Sequence, residues 1–370
     1  MREGEASKQY HNVKNWLFYI GLSIDIVVLF LIQATGASVN LRNFASSFSA
    51  NPFIMHAIYT GVFCLILYIL HFPFEFFLGY TWEHKFGLSN QKLLGWFWDD
   101  LKKAFLSLAI ILVLVEIIYF LLGKFPNHWW VGAGCFWLLL SIFLARILPN
   151  VIIPLFYQYS KIENEDLRKG ILGLFDRCHV PVQDVYTINL SSKTKKANAF
   201  VCGLGKKRRV VLGDTLVSNF SVPEIEAVVA HELGHYKNKD IIKLIAVNAF
   251  VVFWGFFLVH KILNYLLLSW GGIAISDIAS LPIFTLSMMI FGFLVTPILN
   301  AYSRKLEVAA DKFSLDFTKN REAFSSMMEK LGQMNLAELN PSWINEMMFY
   351  DHPPIPKRVQ FAKNYQWDDA

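Results

Sequence analysis

The chain has 370 residues, of which 55% are hydrophobic, 16% aromatic and only 17% charged, with a net charge of +5 at pH 7. A soluble globular domain carries about 25% charged residues, so these proportions exclude one and point to a membrane. The positive balance needs no nucleic-acid partner, because the basic residues fall in loops between apolar runs.

Six runs come near or above the roughly 18–20 residues that a helix needs to cross a bilayer. They are residues 16–34, 54–80, 105–122, 129–148, 244–268 and 281–302. The first contains Asp25 and exceeds the apolar core of a signal peptide, so it reads as a span. Arg2, Lys8 and Lys14 precede it, and Lys85, Lys92, Lys102 and Lys103 lie between the second and third. The alternate short loops hold only Arg42 and Lys124, and the last holds no lysine or arginine. The positive-inside rule then puts both termini and the long polar segment 160–243 in the cytosol. The membrane is that of the endoplasmic reticulum in a eukaryote, or the inner membrane in a bacterium. Asp25, Glu75, Glu116 and Lys261 lie inside spans, with His71 and His260 close by, where charge is costly and hints at an aqueous interior.

After the fourth span, residues 162–179 read as an amphipathic helix with an acidic first turn at Glu163, Glu165 and Asp166. Short β-rich runs follow at 185–188, 199–202 and 209–212, the last two joined by a glycine-containing hairpin loop at 203–207. An extended peptide could pair with such an edge and present its carbonyl to a neighbouring site. The next helix starts at Ser221, with Pro223 in its first turn and Glu224 completing a capping box. It carries His231-Glu232-Leu233-Gly234-His235. Histidines four apart share one helical face and reach one zinc ion, while the intervening glutamate is placed to act on water. A catalytic zinc keeps three protein ligands, and Glu307 offers the third. Asp311, one turn on, can accept the outer N–H of a ligating histidine. Near the C-terminus, a helix over 321–336 precedes His352-Pro353-Pro354 and Arg358. Read alone, His352 is a surface loop residue.

These segments together resemble the zinc-dependent type I CAAX prenyl endopeptidases, a membrane gluzincin family. The resemblance rests on residues 83–91 (EHKFGLSNQ), Asn198-Ala199-Phe200, His231–His235, Glu307–Asp311, and His352-Pro353-Pro354 with Arg358. Heat-shock membrane proteases share the HExxH motif and third glutamate but are less similar in the flanks. The resemblance implies one zinc per chain, held by His231, His235 and Glu307, with Glu232 as general base. It implies that Asn198 and His352 flank the substrate carbonyl and steady its oxyanion. Arg358 would hold Glu307 or the C-terminal turn.

The expected fold is an α-helical polytopic membrane protein, about six spans in a ring around a water-filled chamber, with a small α+β zinc-protease domain. Four segments are expected. Residues 1–158 hold four spans, 159–243 the cytosolic-side α+β part, 244–302 two spans, and 303–370 the third ligand and the HPP turn. The implied partners are a peptide or protein substrate, prenylated as the resemblance implies, and membrane lipid. Two alternatives stand: a quality-control zinc protease with no lipid requirement, and a six-span transporter or ion-binding protein.

Overall fold

The structure, a computed structural model, describes residues 3–203, 208–269 and 273–367. Arg2 and the expected hairpin loop beyond Gly203 lie outside the described residues. The first half is helical: α1 (Glu3–Ala34), α2 (Ala37–Phe48), α3 (Pro52–Phe76), the single turn α4 (Glu83–Lys85), α5 (Leu93–Lys124) and α6 (Trp129–Ile147). Helix α3 begins where Asn51 Oδ1 accepts the Phe53 N–H at 2.9 Å and Pro52 takes a position that needs no donor.

A small α+β unit follows, with β1 (Tyr159–Lys161), α7 (Glu165–Arg177), β2 (Asp184–Ile188), β3 (Ala199–Cys202), β4 (Arg209–Gly213), α8 (Asp214–Asn219) and α9 (Val222–Lys237). Helix α7 starts later than its periodicity suggests because Asn164 caps it, accepting the Leu167 N–H at 3.0 Å. Strand order is β1-β2-β4-β3, with β2 and β4 parallel and the outer pairs antiparallel. Strand β3 therefore lies at the edge of the sheet. Strand β1 was not expected; three residues are too few to show an alternation.

The remainder is helical: α10 (Asp240–Ser269), α11 (Leu281–Thr318), α12 (Arg321–Met334), α13 (Trp343–Phe349) and α14 (Ile355–Lys363). Helix α11 runs unbroken for 38 residues, so the boundary expected at 302/303 falls inside it. The boundary at 243/244 likewise falls inside α10. The apolar pattern ends where α11 leaves the membrane layer, but the backbone hydrogen-bond ladder continues.

Among the described residues, six helical stretches are long and apolar enough to cross a membrane: Gly4–Ala34, Pro52–Lys85, Leu93–Lys124, Trp129–Leu155, Asp240–Leu266 and Ile278–Thr318. Each extends beyond the apolar run that marked it, because polar turns continue the helices at their ends. Large apolar side chains such as Trp16, Phe105, Phe250 and Leu294 stay exposed on them, as lipid-facing groups would. Helix α2, at 12 residues, is too short to span. Two charged groups inside the spans have partners: His71 Nε2 lies 2.6 Å from Asp25, and His56 Nδ1 lies 3.4 Å from Glu116.

Two large cores and a small third one at Tyr10, Trp82 and Leu88 hold the described residues together. One, in the membrane half, buries Leu29, Tyr59, Tyr119, Trp129, Phe256 and Phe284. The other joins α7, the sheet, α9, α12 and α14 through Ile171, Val185, Leu212, Ile225, Leu233 and Phe324, and Leu315 of α11 belongs to it. Helix α11 thus carries the last span at one end and packs into the second core at the other.

Candidate active site

Helix α9 is anchored at its start. The Glu224 carboxylate accepts the Ser221 N–H at 2.7 Å, closing the capping box, and also binds Lys330 at 2.7 Å and Ser326 at 2.6 Å. Burial favours the neutral acid, but these donors win and hold Glu224 at about 2. The opposite end of α9 lies against α11. A Cβ on Gly234 would sit 3.1 Å from Ala310 Cα, so the bare backbone of Gly234 permits the close approach. Ser314 Oγ adds a hydrogen bond to the Ala227 carbonyl at 2.8 Å.

That approach brings three donors together. His231 Nε2 lies 3.2 Å from Glu307 Oε2, His235 Nε2 lies 3.2 Å from Glu307 Oε1, and the two Nε2 atoms are 3.2 Å apart. A tetrahedral zinc with bonds of about 2.0–2.1 Å needs its donors about 3.3–3.4 Å apart. Glu307 Oε2 is moreover buried without a hydrogen-bond partner, an orphan that a cation would satisfy. The two imidazoles and the carboxylate therefore fit zinc in number, type and spacing.

Carboxylates stand behind both rings. His231 Nδ1 is 2.9 Å from Asp311, and His235 Nδ1 is 3.0 Å from Asp240. Burial would lower the His231 pKa, but the Asp311 and Glu307 carboxylates beside the ring push it up to about 9. A dication would compete with the proton at Nε2 alone, since Nδ1 faces Asp311. Asp311 is itself gripped by Arg358, with Nε at 2.8 Å and Nη2 at 2.5 Å, and Arg358 Nη2 reaches Glu307 at 3.5 Å. Sequence reasoning missed Asp240. Its only signal was an acid five residues beyond the second histidine, and the turn that brings it back is not a helical repeat.

The remaining expected residues line one cavity of about 560 Å³, with Glu232, Asn198, His352 and Arg358 in its walls. Burial raises the Glu232 pKa above its usual value, against the pull of His231 and His235. His352, read alone as a surface loop residue, is half-exposed, yet its Nε2 is 3.2 Å from Glu307 Oε1 and its Nδ1 is 2.7 Å from Asp351. Asn198 precedes β3, and its Oδ1 accepts the Ala199 N–H at 2.9 Å. The 83–91 segment braces this stretch: Asn90 N–H donates to Lys193, Lys195 N–H to Leu88, and Lys196 Nζ meets Glu83 at 2.8 Å.

A histidine pair and a buried carboxylate beside an acid and a strand edge, on a scaffold of six candidate spans, define a membrane metalloprotease. The comparisons agree. Residues 161–366 match the model of peptidase family M48, and residues 2–158 match that of the CAAX prenyl protease N-terminal region, described as five membrane helices. In that region, four of the described helices are long and apolar enough to span. The chain belongs to peptidase family M48. It is 30% identical over 362 residues to the uncharacterized metalloprotease YhfN of Bacillus subtilis, covering 97% of this chain and 85% of that one. It is 30% identical over 296 residues to a CAAX prenyl protease 1 homolog of Arabidopsis thaliana, covering 79% and 69%. Its fold matches the crystal structure of S. mikatae Ste24p with a TM-score of 0.86 at 22% identity, covering 98% of this chain and 89% of that one. The chain is thus an integral membrane metalloprotease that acts on peptide or protein substrates.

Proposed function

We propose that the chain is a zinc endopeptidase that removes the C-terminal residues following a prenylated cysteine. The observation that carries the chemistry is the 3.2 Å triangle of His231, His235 and Glu307 with its orphan carboxylate oxygen. Relatives named CAAX prenyl protease 1, from Arabidopsis to yeast, support the substrate class. Zinc, when bound by those three residues, supplies Lewis acidity that lowers the pKa of water from 15.7 towards about 7.

The chain's own groups do the rest. Glu232, held ready to accept a proton, takes one from the attacking water and returns it to the leaving amine. Asn198 Nδ2 and His352 Nε2 donate to the oxyanion that forms on the scissile carbonyl. The bond from the Ala199 N–H to Asn198 Oδ1 orients the amide so that its NH₂ group is free for this. Asp311 and Asp240 fix the two imidazoles, and Arg358 holds Asp311 in place. The polar pairs Asp25–His71 and His56–Glu116 favour a wet interior between the spans, where a lipidated chain end can be admitted. Basic loop residues favour a cytosolic active site.

The test pairs farnesylated and unlipidated CAAX peptides with purified protein, using Glu232→Gln as the blank. Glu232→Gln should retain zinc by elemental analysis and lose about a hundredfold to ten-thousandfold in turnover. Selective cleavage of the lipidated peptide supports the reading. Equal cleavage of both leaves a membrane protease without a lipid requirement.

A further inference from the structure

Two features outside the metal triangle meet in the same cavity. The first is the edge of β3. The Asn198 carbonyl accepts the Gly213 N–H of β4 at 2.8 Å, so along the extended chain Ala197, Ala199 and Val201 turn their backbone groups away from β4; the Ala199 N–H is held by Asn198 Oδ1, which leaves the Ala199 carbonyl to face an added strand. At Ala197 that side is already taken. Asn335 Oδ1 accepts the Ala197 N–H at 3.0 Å, and Asn335 Nδ2 donates to the Ala197 carbonyl at 3.3 Å. One side-chain amide thus fills the place where the next residue of an added strand would pair. A peptide lying along β3 meets this plug just beyond Asn198.

The second feature is a pair of lysines at that point. Lys196 is two residues before Asn198, so the two side chains leave the same face of the extended chain, and both line the cavity. Lys196 Nζ is 2.8 Å from Glu83, and Lys14 Nζ is 3.9 Å from the same carboxylate. Both donate to Tyr10 Oη, at 3.2 and 3.1 Å, while Tyr10 O–H donates to Glu83. The two ammonium groups share the Glu83 carboxylate, and Glu75 also acts on Lys14. Both lysines keep about a third of their side-chain surface accessible, 32% and 39%.

We propose that Lys196 and Lys14 receive the substrate's C-terminal carboxylate, and that Asn335 sets where the substrate ends. This deepens the endopeptidase reading and rests on it. An extended tripeptide reaches about 10 Å, and Lys196 lies about 7 Å along the chain from Asn198, within that reach. Charge also selects the direction. A strand antiparallel to β3 brings its carboxyl end to the lysines, whereas a parallel one brings an ammonium group or a chain that has to pass through Asn335. The site therefore selects peptides with few residues after the scissile bond.

The experiment measures binding to the full-length Glu232→Gln protein in detergent. Its probes are farnesylated peptides ending in a free carboxylate, in an amide, or in a six-residue extension, with unlipidated copies of each. The acid should bind roughly tenfold or more tightly than the amide and the extended peptide, as a charge-assisted pair requires. Lys14→Met with Lys196→Met should bring the acid down to the amide's affinity and leave the amide unchanged, while Lys196→Arg keeps the preference. Asn335→Ala should improve the extended peptide relative to the acid. Equal affinity of acid and amide, a preference that survives the double lysine variant, or no binding by any peptide overturns the proposal. The acid-to-amide ratio needs no lysine variant, so misfolding of one cannot hide the answer. Indifference to farnesyl would sink the prenyl reading alone, since the ratio is taken within each lipid state.

Discussion

Asp240 and Asp311 show how much of the proposed metal site lies behind its histidines. Each accepts from the outer nitrogen of one histidine, fixing which nitrogen faces the centre. Asp240→Asn keeps the shape and removes the charge, so zinc affinity should fall about 10- to 100-fold, read by competition with a chelating dye. Glu224 acts at the same scale on stability. Its folded carboxyl titrates at about 2 and its ordinary value is 4.5, so the unfolded chain takes up the proton first as pH falls. The stabilisation is complete above about pH 4.5 and disappears towards pH 2. Glu224→Gln should cost on the order of 2 kcal/mol at neutral pH. The gap between variant and wild type should close between pH 4.5 and 2 in thermal melts followed by circular dichroism.

At the scale of elements, the decisive contact is α9 against α11. Glu307 reaches the histidines because α11 continues past the membrane layer and because Gly234 lets it come close. Gly234→Val would force side-chain atoms into the Ala310 backbone. The expected result is a loss of about 1–3 kcal/mol from overpacking, together with loss of bound zinc. Gly292→Ala, on the same α11 but with open space at its Cβ, should leave zinc content unchanged. Elemental analysis of the two purified variants checks both expectations. The HExxH helix was legible from its capping residues and its i, i+4 histidines. The length of α11 was not, because hydropathy falls at the membrane surface while helical hydrogen bonding does not.

At the scale of the whole molecule, the spans and the protease unit are joined through α10 and α11, so the site is fixed to the membrane and not tethered to it. Six candidate spans would place both ends of the chain on one side, and from the lysine-rich loops we propose the cytosolic side. Epitope tags at the two termini should both be accessible in inside-out vesicles and protected in right-side-out ones. Opposite exposure of the two tags would mean an odd number of crossings.

The sequence by itself determined the class of the chain and the number of candidate spans, and it singled out the histidine pair, the carboxylate that meets it and the acid between the histidines. These rest on local rules: the length of an apolar run, the helical repeat, and the ligand types that zinc accepts. It also held His352, Asn198 and Arg358, through a resemblance and not through spacing. Only the tertiary structure decided that Asp240 folds back on His235, that Asn335 occupies the strand edge at Ala197, and that Lys14 of the first helix meets Lys196 across one glutamate. Each of these pairs residues from different elements or across a non-helical turn, and no periodicity in a linear chain encodes which elements come to lie side by side.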